Sequence, residues 1–280
     1  FVHYHPRTLV MNNLEFDHAD IFDDLEAIQR QFHHLVRTVP GNGLIISPLN
    51  DGGLHHVLDM GCWTSVEYFD PGAEASWHVA NAHPDGSAFD VVCEAERVGR
   101  VVWPLTGRHN VCNALAALAA ARHAGVPPAV GIAALAGFRN VKRRMELRGE
   151  VRGVCVYDDF AHHPTAIETT LEGLRKHVGA QRILAVLEPR SNTMRMGVHA
   201  DTLADSLNLA DEVWVYAPSS LGWDAASVLR GLGGCLHLCR STQEIVDQVA
   251  AEAGEGDQVL VMSNGGFEGI HQRLLDALTG

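Results

Sequence analysis

Val154-Cys155-Val156-Tyr157-Asp158-Asp159-Phe160-Ala161-His162-His163-Pro164 is the stretch that decides the fold. An apolar run passes into two carboxylates, two imidazoles and a proline, and a helical pattern follows from Thr165 to His177. That order predicts a buried strand, a polar loop at its carboxyl end, and a helix beginning after the proline. Loops in that position are where ligands sit in open α/β sheets. A plainer alternative is that Asp159 caps the turn and the histidines are solvated. Four ionisable groups crowded into residues 158–163 favour the ligand reading.

Working outward, apolar strands and helices alternate from this stretch to the end of the chain. Strands are expected over 151–157, 182–187, 211–216, 235–239 and 258–262, with helices near 165–178, 198–210, 223–230, 241–253 and 267–278. Such alternation predicts a doubly wound, mostly parallel sheet with right-handed crossovers and helices on both faces. On the other side, residues 138–149 form a cationic connector. Before it, Thr8 to Leu14 reads as a strand, and Leu25, Ile28, Phe32, Leu35 and Val39 mark one face of a helix. Leu44 to Ile46 reads as a second buried strand. From Trp63 to Leu105 short β-rich runs (64–69, 76–80, 88–93, 100–103) predict antiparallel hairpins appended to a parallel sheet. Thr106-Gly107-Arg108-His109-Asn110 leads into an Ala-rich helix over 111–123, and Pro127-Pro128 opens another that runs to about Gly137. The expected domains are 1–142 and 143–280, both α/β.

Composition narrows the function. With 46% hydrophobic and 20% charged residues the 280-residue chain is globular, and no apolar run is long enough for a membrane span. Acids outnumber bases 34 to 21, and no basic stripe suggests nucleic acid as a partner. Six scattered cysteines without a CxxC pair suit a reducing cytoplasm. Cys235, His237 and Cys239 alternate along one strand, so a metal site is conceivable there, but a packed strand is the better reading. Phe1 is not an initiator methionine and no signal-peptide pattern follows it, which predicts a fragment that opens inside a fold. Neither of its two lysines, Lys142 and Lys176, follows a GxxxxG, so the chain holds no phosphate loop of that kind.

Four polar clusters sit at element ends: Asp17-His18, Arg108-His109-Asn110 with Asn113, Lys142-Arg143-Arg144, and Asp158 to His163. Individually each is weak. In this order they resemble the Mur ligase family. The matching stretches are Asn13-Leu14-Glu15-Phe16-Asp17-His18-Ala19-Asp20 (the pattern TN-x-x-x-DH-x-D), Gly107 to Ala114 (GxHNxxNA), Arg144-Met145-Glu146, and Asp159-Phe160-Ala161-His162-His163-Pro164 (DYxHxP). The resemblance implies the later part of a parallel-sheet ATPase domain followed by a Rossmann-like C-terminal domain. It is nearest to the peptidoglycan-recycling branch, on Phe1-Val2-His3-Tyr4-His5-Pro6-Arg7, Phe32 to Pro40, and above all Leu187-Glu188-Pro189-Arg190-Ser191-Asn192-Thr193-Met194-Arg195-Met196-Gly197. The alanine-adding branch usually has QPHRYTR over Glu188 to Met194.

For the reaction, the resemblance implies an ATP- and Mg2+-dependent ligase joining UDP-N-acetylmuramate to L-alanyl-γ-D-glutamyl-meso-diaminopimelate. It places His18 at a magnesium site beside the γ-phosphate, with a hydrogen bond to phosphate or metal-bound water as the alternative, since magnesium prefers oxygen. His109, Asn110 and Asn113 resemble the adenine contacts, an ordinary buried helix polar residue being the alternative for Asn113. Arg144 resembles an arginine that reaches the phosphates on domain closure, Asp159 a ribose contact and His162 a residue lining that interface; His163 is a weaker substrate candidate. Arg190, Asn192 and Arg195 are candidates for the peptide, because arginine grips carboxylates through its bidentate fork, solvated surface arginines being the alternative for Arg190 and Arg195. Ser263-Asn264-Gly265-Gly266-Phe267 is a glycine turn that either meets the substrate or simply links strand to helix. No lysine precedes Lys142, so a carbamylated metal-bridging lysine of the kind some family members use is excluded from that part. Two alternatives stay open: the alanine-adding ligase, and a non-catalytic nucleotide- or peptide-binding module. Without a phosphate loop the chain by itself is expected to bind ATP weakly or undetectably.

Overall fold

The computed structural model describes residues 2–72 and 75–280, and among these ten α-helices and twelve strands fall in two units, Phe1–Arg139 and Asn140–Gly280. Phe1, the first residue of one stretch quoted above, lies outside the described residues. The units part a little before the expected 142/143 boundary. Asn140 already belongs to the second unit, because its Nδ2 donates to the Arg144 carbonyl.

The first unit runs β1 Thr8–Val10, α1 Leu25–Val36, β2 Leu44–Pro48, α2 Gly52–Asp59, β3 Ser65–Phe69, β4 Trp77–Ala80, β5 Ala88–Cys93, β6 Glu96–Val102, α3 Arg108–His123 and α4 Pro128–Ala136. Its sheet has the order β1-β2-β3-β4-β5-β6. Alternation along β2 sorts its side chains between two cores. Leu44 and Ile46 join the core that holds α3, and Ile45 joins the one beneath α1 and α2. Burial on both faces is why this strand reads as a continuous apolar run. α1 starts where the Asp24 carboxylate accepts from the Ala27 N–H at 2.7 Å.

The structure corrects two expectations in this unit. The hairpin region begins later than predicted: β3 pairs in parallel with β2 and β4, and only β4-β5-β6 is antiparallel. Residues 51–62 carry no element in the sequence reading, yet α2 forms there. Asp51 caps it by accepting from the Leu54 N–H at 2.9 Å, which offsets the poor helix propensity of Gly52-Gly53.

The second unit comprises β7 Glu146–Val151, β8 Val154–Asp159, α5 Pro164–Val178, β9 Ile183–Leu187, α6 Asn192–Arg195, α7 Ala200–Ser206, β10 Glu212–Tyr216, α8 Ala225–Val228, β11 Leu236–Cys239, α9 Thr242–Glu252, β12 Gln258–Met262 and α10 Ile270–Thr279. The sheet order is β11-β10-β9-β12-β8-β7, parallel except for the β7–β8 edge. In β9, Ile183, Ala185 and Leu187 enter the core with α5 and α7, while Leu184 and Val186 enter the core with α9 and α10. Helices therefore cover both faces, as predicted. The chain steps outward from β8 through β9, β10 and β11, then returns so that β12 inserts between β8 and β9. That reversal creates a switch point, and the crevice at its strand ends is the general ligand position of such sheets.

Boundaries shift in this unit as well. Asp158 and Asp159 are the last residues of β8, paired with Val261 and Met262 of β12, so the loop proper begins at Phe160. Residues 146–151, assigned to the connector and to a longer strand, form an antiparallel edge that turns at Arg152-Gly153. The helices expected over 198–210 and 223–230 are shorter, the second giving way to a 3-10 turn over Arg230–Cys235. Among the described residues no helix is long and apolar enough to cross a membrane.

Candidate active site: two polar rims

In the first unit the polar groups gather where β1, β2 and β3 end. Asn12 donates from Nδ2 to Asn113 Oδ1 at 2.6 Å, which ties the end of β1, one residue ahead of the first motif, to α3. Asn113 is exposed, so it is not an ordinary buried helix residue. Asp70, 6% exposed just past β3, accepts from Asn50 Nδ2 at 3.0 Å, from the Gly72 N–H at 2.7 Å and from Arg108 Nη2 at 3.1 and 3.2 Å. Burial pushes its carboxyl up, but Gly72, Asn50 and Arg108 together hold it below the usual carboxylate range. Asp70 and Asn50 escape the sequence reading because a polar residue or two after a strand is ordinary in any loop.

Arg108, His109 and Asn110 form the first turn of α3 instead of leading into it. Gly107 precedes them at φ 93°, and Asn110 donates from Nδ2 to the Thr106 carbonyl at 2.7 Å, leaving its amide oxygen as the group able to meet a ligand donor. His18 is exposed and held at φ 56°; its N–H donates to Asp17 Oδ1 at 2.7 Å and its carbonyl accepts from Ile21 and Phe22 at 2.8 and 3.0 Å. The loop thus displays the imidazole. Among the described residues no group of three or more His, Cys, Asp or Glu forms a metal cage. Magnesium is commonly held by one or two carboxylates and completes its shell with phosphate and water; the Asp17 carboxylate fits that mode, and the His18 imidazole beside it suits a hydrogen bond to phosphate or metal-bound water.

The second rim lies at the carboxyl ends of β8, β12 and β9. Arg143 stitches it together. Its Nη2 donates to the Ser263 carbonyl and, at 2.7 Å, to the Gly265 carbonyl, while Nε lies 3.4 Å from Asp158 Oδ1. Arg144, exposed, also approaches Phe160, with guanidinium carbons 5.1 Å (Arg143) and 5.5 Å (Arg144) from the ring centroid. The sequence reading places Arg143 in a connector; nothing in a run of three cations tells which one is structural.

Asp159 does something other than present a free carboxylate. It is 3% exposed, Oδ1 accepts from the Ala161 N–H at 2.7 Å and from Thr170 Oγ1 at 3.4 Å, and Oδ2 accepts from the Met145 N–H at 2.8 Å. Its oxygens are committed to holding the 143–145 and 160–161 segments, as in the capping alternative, so direct ribose contact does not follow from its geometry. Burial raises its carboxyl above the usual range, against the pull of Ala161, Met145, Arg144 and Thr170. Asp158 moves the other way: burial pushes it up, but His271, 3.3 Å away, and Arg143 more than offset that. A carboxylate depressed by folding adds stability above its unfolded pKa near 3.9 and loses it as pH falls through the lower folded value. Asp158→Asn should accordingly flatten the fall in stability between about pH 5 and pH 3, read as urea midpoints across that range. An unchanged slope would show that Asp158 has no such role.

His162 Nδ1 lies 2.9 Å from the Phe160 carbonyl, which can only accept, so the ring proton sits there and Nε2 is the lone-pair nitrogen of the neutral ring. His163 is the reverse: it caps α5 by accepting the Ala166 N–H on Nδ1 at 3.4 Å. Along β9's exit, Glu188, 9% exposed, accepts from Ser263 Oγ. Arg190, Asn192 and Arg195 follow, all exposed. The short turn α6 that carries the last two is fixed by Ser191 Oγ at its start and by Trp223 Nε1 donating to the Met194 carbonyl at 2.7 Å. Cys235 precedes β11, so Cys235, His237 and Cys239 do not share one strand; within β11 Cys239 is fully buried, and His237 bonds Glu212 at 2.8 Å while stacking on Trp214.

Two family descriptions match this chain: residues 2–121 match the Mur ligase middle domain, and residues 143–265 the Mur ligase glutamate ligase domain. The chain belongs to the Mur ligase family. Over 279 residues it is 55% identical to the UDP-N-acetylmuramate–L-alanyl-γ-D-glutamyl-meso-2,6-diaminoheptandioate ligase of Escherichia coli, across 99% of this chain and 61% of that protein. It is 30% identical over 289 residues to the UDP-N-acetylmuramate–L-alanine ligase of Desulfitobacterium hafniense, across 98% of this chain and 63% of that one. The crystal structure of a murein peptide ligase from Psychrobacter arcticus superposes with a TM-score of 0.73 at 44% identity, covering 100% of this chain and 59% of the other. The chain therefore spans about 61% of the length of the E. coli Mur ligase.

Proposed function

We propose that this chain supplies the adenine-reading and amine-reading parts of an ATP-dependent ligase that joins UDP-N-acetylmuramate to L-alanyl-γ-D-glutamyl-meso-diaminopimelate in peptidoglycan recycling. The observation that carries the reading is the segment Leu187 to Gly197. It leaves β9 at the switch point with Arg190 ahead of a fixed turn that carries Asn192 and Arg195. A tripeptide with several carboxylates needs such forked cations, whereas free L-alanine has one carboxylate to read.

In this reading the muramate carboxylate attacks the γ-phosphorus, ADP leaves, and an acyl phosphate forms. The peptide amine then attacks the acyl carbon, loses a proton, and inorganic phosphate departs as the amide closes. Both steps gather negative charge, so the protein's contribution is cationic clamping and alignment. Alignment of carboxylate, phosphate and amine supplies up to about 7–11 kcal/mol of the barrier. Asp17, with His18 hydrogen-bonded to phosphate or metal-bound water, would hold a phosphate-bound Mg2+, which neutralises charge on the phosphate oxygens when present. His109, Asn110 and Asn113 would contact the adenine, Arg144 the transferring phosphoryl group, His162 the nucleotide and His163 the substrate. Asp159 holds the loop that carries Arg144.

The test uses a protein of the relatives' full length, with tripeptide and L-alanine offered as competing amines. Ligation of the tripeptide is expected; preference for L-alanine would transfer the reading to the alanine-adding ligase, and no ligation of either would favour a binding module. Arg190→Ala should raise KM for the tripeptide by roughly 10- to 100-fold, the scale of a lost charged hydrogen bond. KM for ATP should stay within about twofold, since Arg190 would make no contact with nucleotide. Equal changes in both constants reject the assignment.

A further inference from the structure

Gly265 lies in the turn leaving β12, the strand beside β9. A Cβ built on it would come within 2.5 Å of Arg190 Cδ and 2.6 Å of Arg190 Cζ, closer than real Cβ contacts come. The backbone does not itself demand glycine there, because Gly265 is outside the left-handed region. What demands it is the arginine crossing above. Its neighbour Gly266 is the contrast: φ is −78°, and a Cβ there meets nothing within 4 Å.

The turn beneath the arginine is held from two directions. Gly265 N–H donates to Ser263 Oγ at 2.9 Å, and that hydroxyl in turn donates to buried Glu188. From the other side the Gly265 carbonyl accepts Arg143 Nη2 at 2.7 Å. A long side chain laid along a fixed, bare turn loses less rotamer freedom when it meets a ligand than one waving in solvent.

We propose that Gly265 is a positioning residue for the amine substrate: its missing side chain makes the seat on which Arg190 is laid, with the guanidinium held at the mouth between β9 and β12 for a substrate carboxylate. The inference rests on the reading of Arg190 as a substrate grip. Glu188, Ser263 and Arg143 keep the seat in place. A methyl group on Gly265 lifts the arginine away and leaves the chain's fold intact, because the atoms it meets belong to a flexible, exposed side chain.

The experiment compares Gly265→Ala, Gly266→Ala, Arg190→Ala and the Gly265→Ala/Arg190→Ala pair in a protein of the relatives' full length. Gly265→Ala should raise the tripeptide KM about tenfold or more, leaving the KM for ATP and the thermal midpoint unchanged. Gly266→Ala should change none of the three. In the Arg190→Ala background, adding Gly265→Ala should do nothing further, because the partner of the clash is gone. Equal effects of Gly265→Ala in both backgrounds, or equal effects of the two glycine variants, overturn the seat. If Arg190→Ala raises the tripeptide KM and Gly265→Ala does not, the seat fails while the grip stands. If Arg190→Ala leaves it unmoved, both fall.

Discussion

Replacing Arg144 by Ala, in a protein of the relatives' full length, should lower kcat by about 10²- to 10³-fold, the scale of one lost preorganised charge donor. The thermal midpoint should barely move. Arg144 is exposed and its guanidinium lies 5.5 Å from the Phe160 ring centroid, a loose contact, so little folding free energy hangs on it. Arg143→Ala should do the opposite. Its guanidinium donates to the Ser263 and Gly265 carbonyls and faces Asp158, so truncation removes the donor to two turn carbonyls and one partner of a buried carboxylate that keeps His271. Destabilisation of about 2–4 kcal/mol in the second unit is expected, within the range for breaking a buried charged contact. Steady-state kinetics and urea unfolding on both variants separate the roles. If the two adjacent arginines give the same profile, the division of labour drawn from the structure is wrong.

That division is invisible in the residues alone, and the reason is physical. Arg143 and Arg144 are one chemistry in one run, and both guanidiniums lie near the Phe160 ring, but Arg143 also reaches the Ser263 and Gly265 carbonyls while Arg144 stays exposed. The parallel strands, by contrast, are legible because burial on two faces demands apolar residues throughout: β9 and β12 come out where the pattern puts them, β12 at Gln258–Met262 as expected. β7 escapes the pattern because an edge strand lacks that constraint. Leu147 is 53% exposed and Arg148 and Glu150 flank it toward solvent, so nothing distinguishes the stretch from a charged connector. At the sites, sequence order locates His18, His109, Arg144 and Arg190 in loops and helix starts, but it does not say whose polar atoms are already taken. Asp159 is the clearest instance. Two neighbouring carboxylates look equivalent in Asp158-Asp159, whereas folding pushes one carboxyl down and the other up.

Asp159→Ala should cost the second unit about 2–4 kcal/mol, because the Ala161 and Met145 N–H groups are left without acceptors in a buried place. Removing a costly buried charge offsets part of that loss, which keeps the figure below the sum of three hydrogen bonds. Asp159→Asn should fall between parent and Ala: its single carbonyl oxygen serves one donor, and its NH2 turns toward another. Urea unfolding of the 280-residue chain, followed through the transition of the second unit, gives the midpoints. The pH dependence carries a second signature. A carboxyl raised by folding binds its proton more tightly in the native state, so its contribution to stability declines as pH rises from the unfolded value near 3.9 through the folded one. Asp159→Asn should remove that decline, opposite in sign to the change expected of Asp158→Asn. Function follows by the same bond: with Met145 unanchored, the 143–145 turn no longer delivers Arg144, and kcat should drop while KM for the tripeptide holds. Should Asp159→Ala unfold at the parental midpoint, the carboxylate is not the clamp its geometry describes, and it rejoins the groups free to meet the nucleotide.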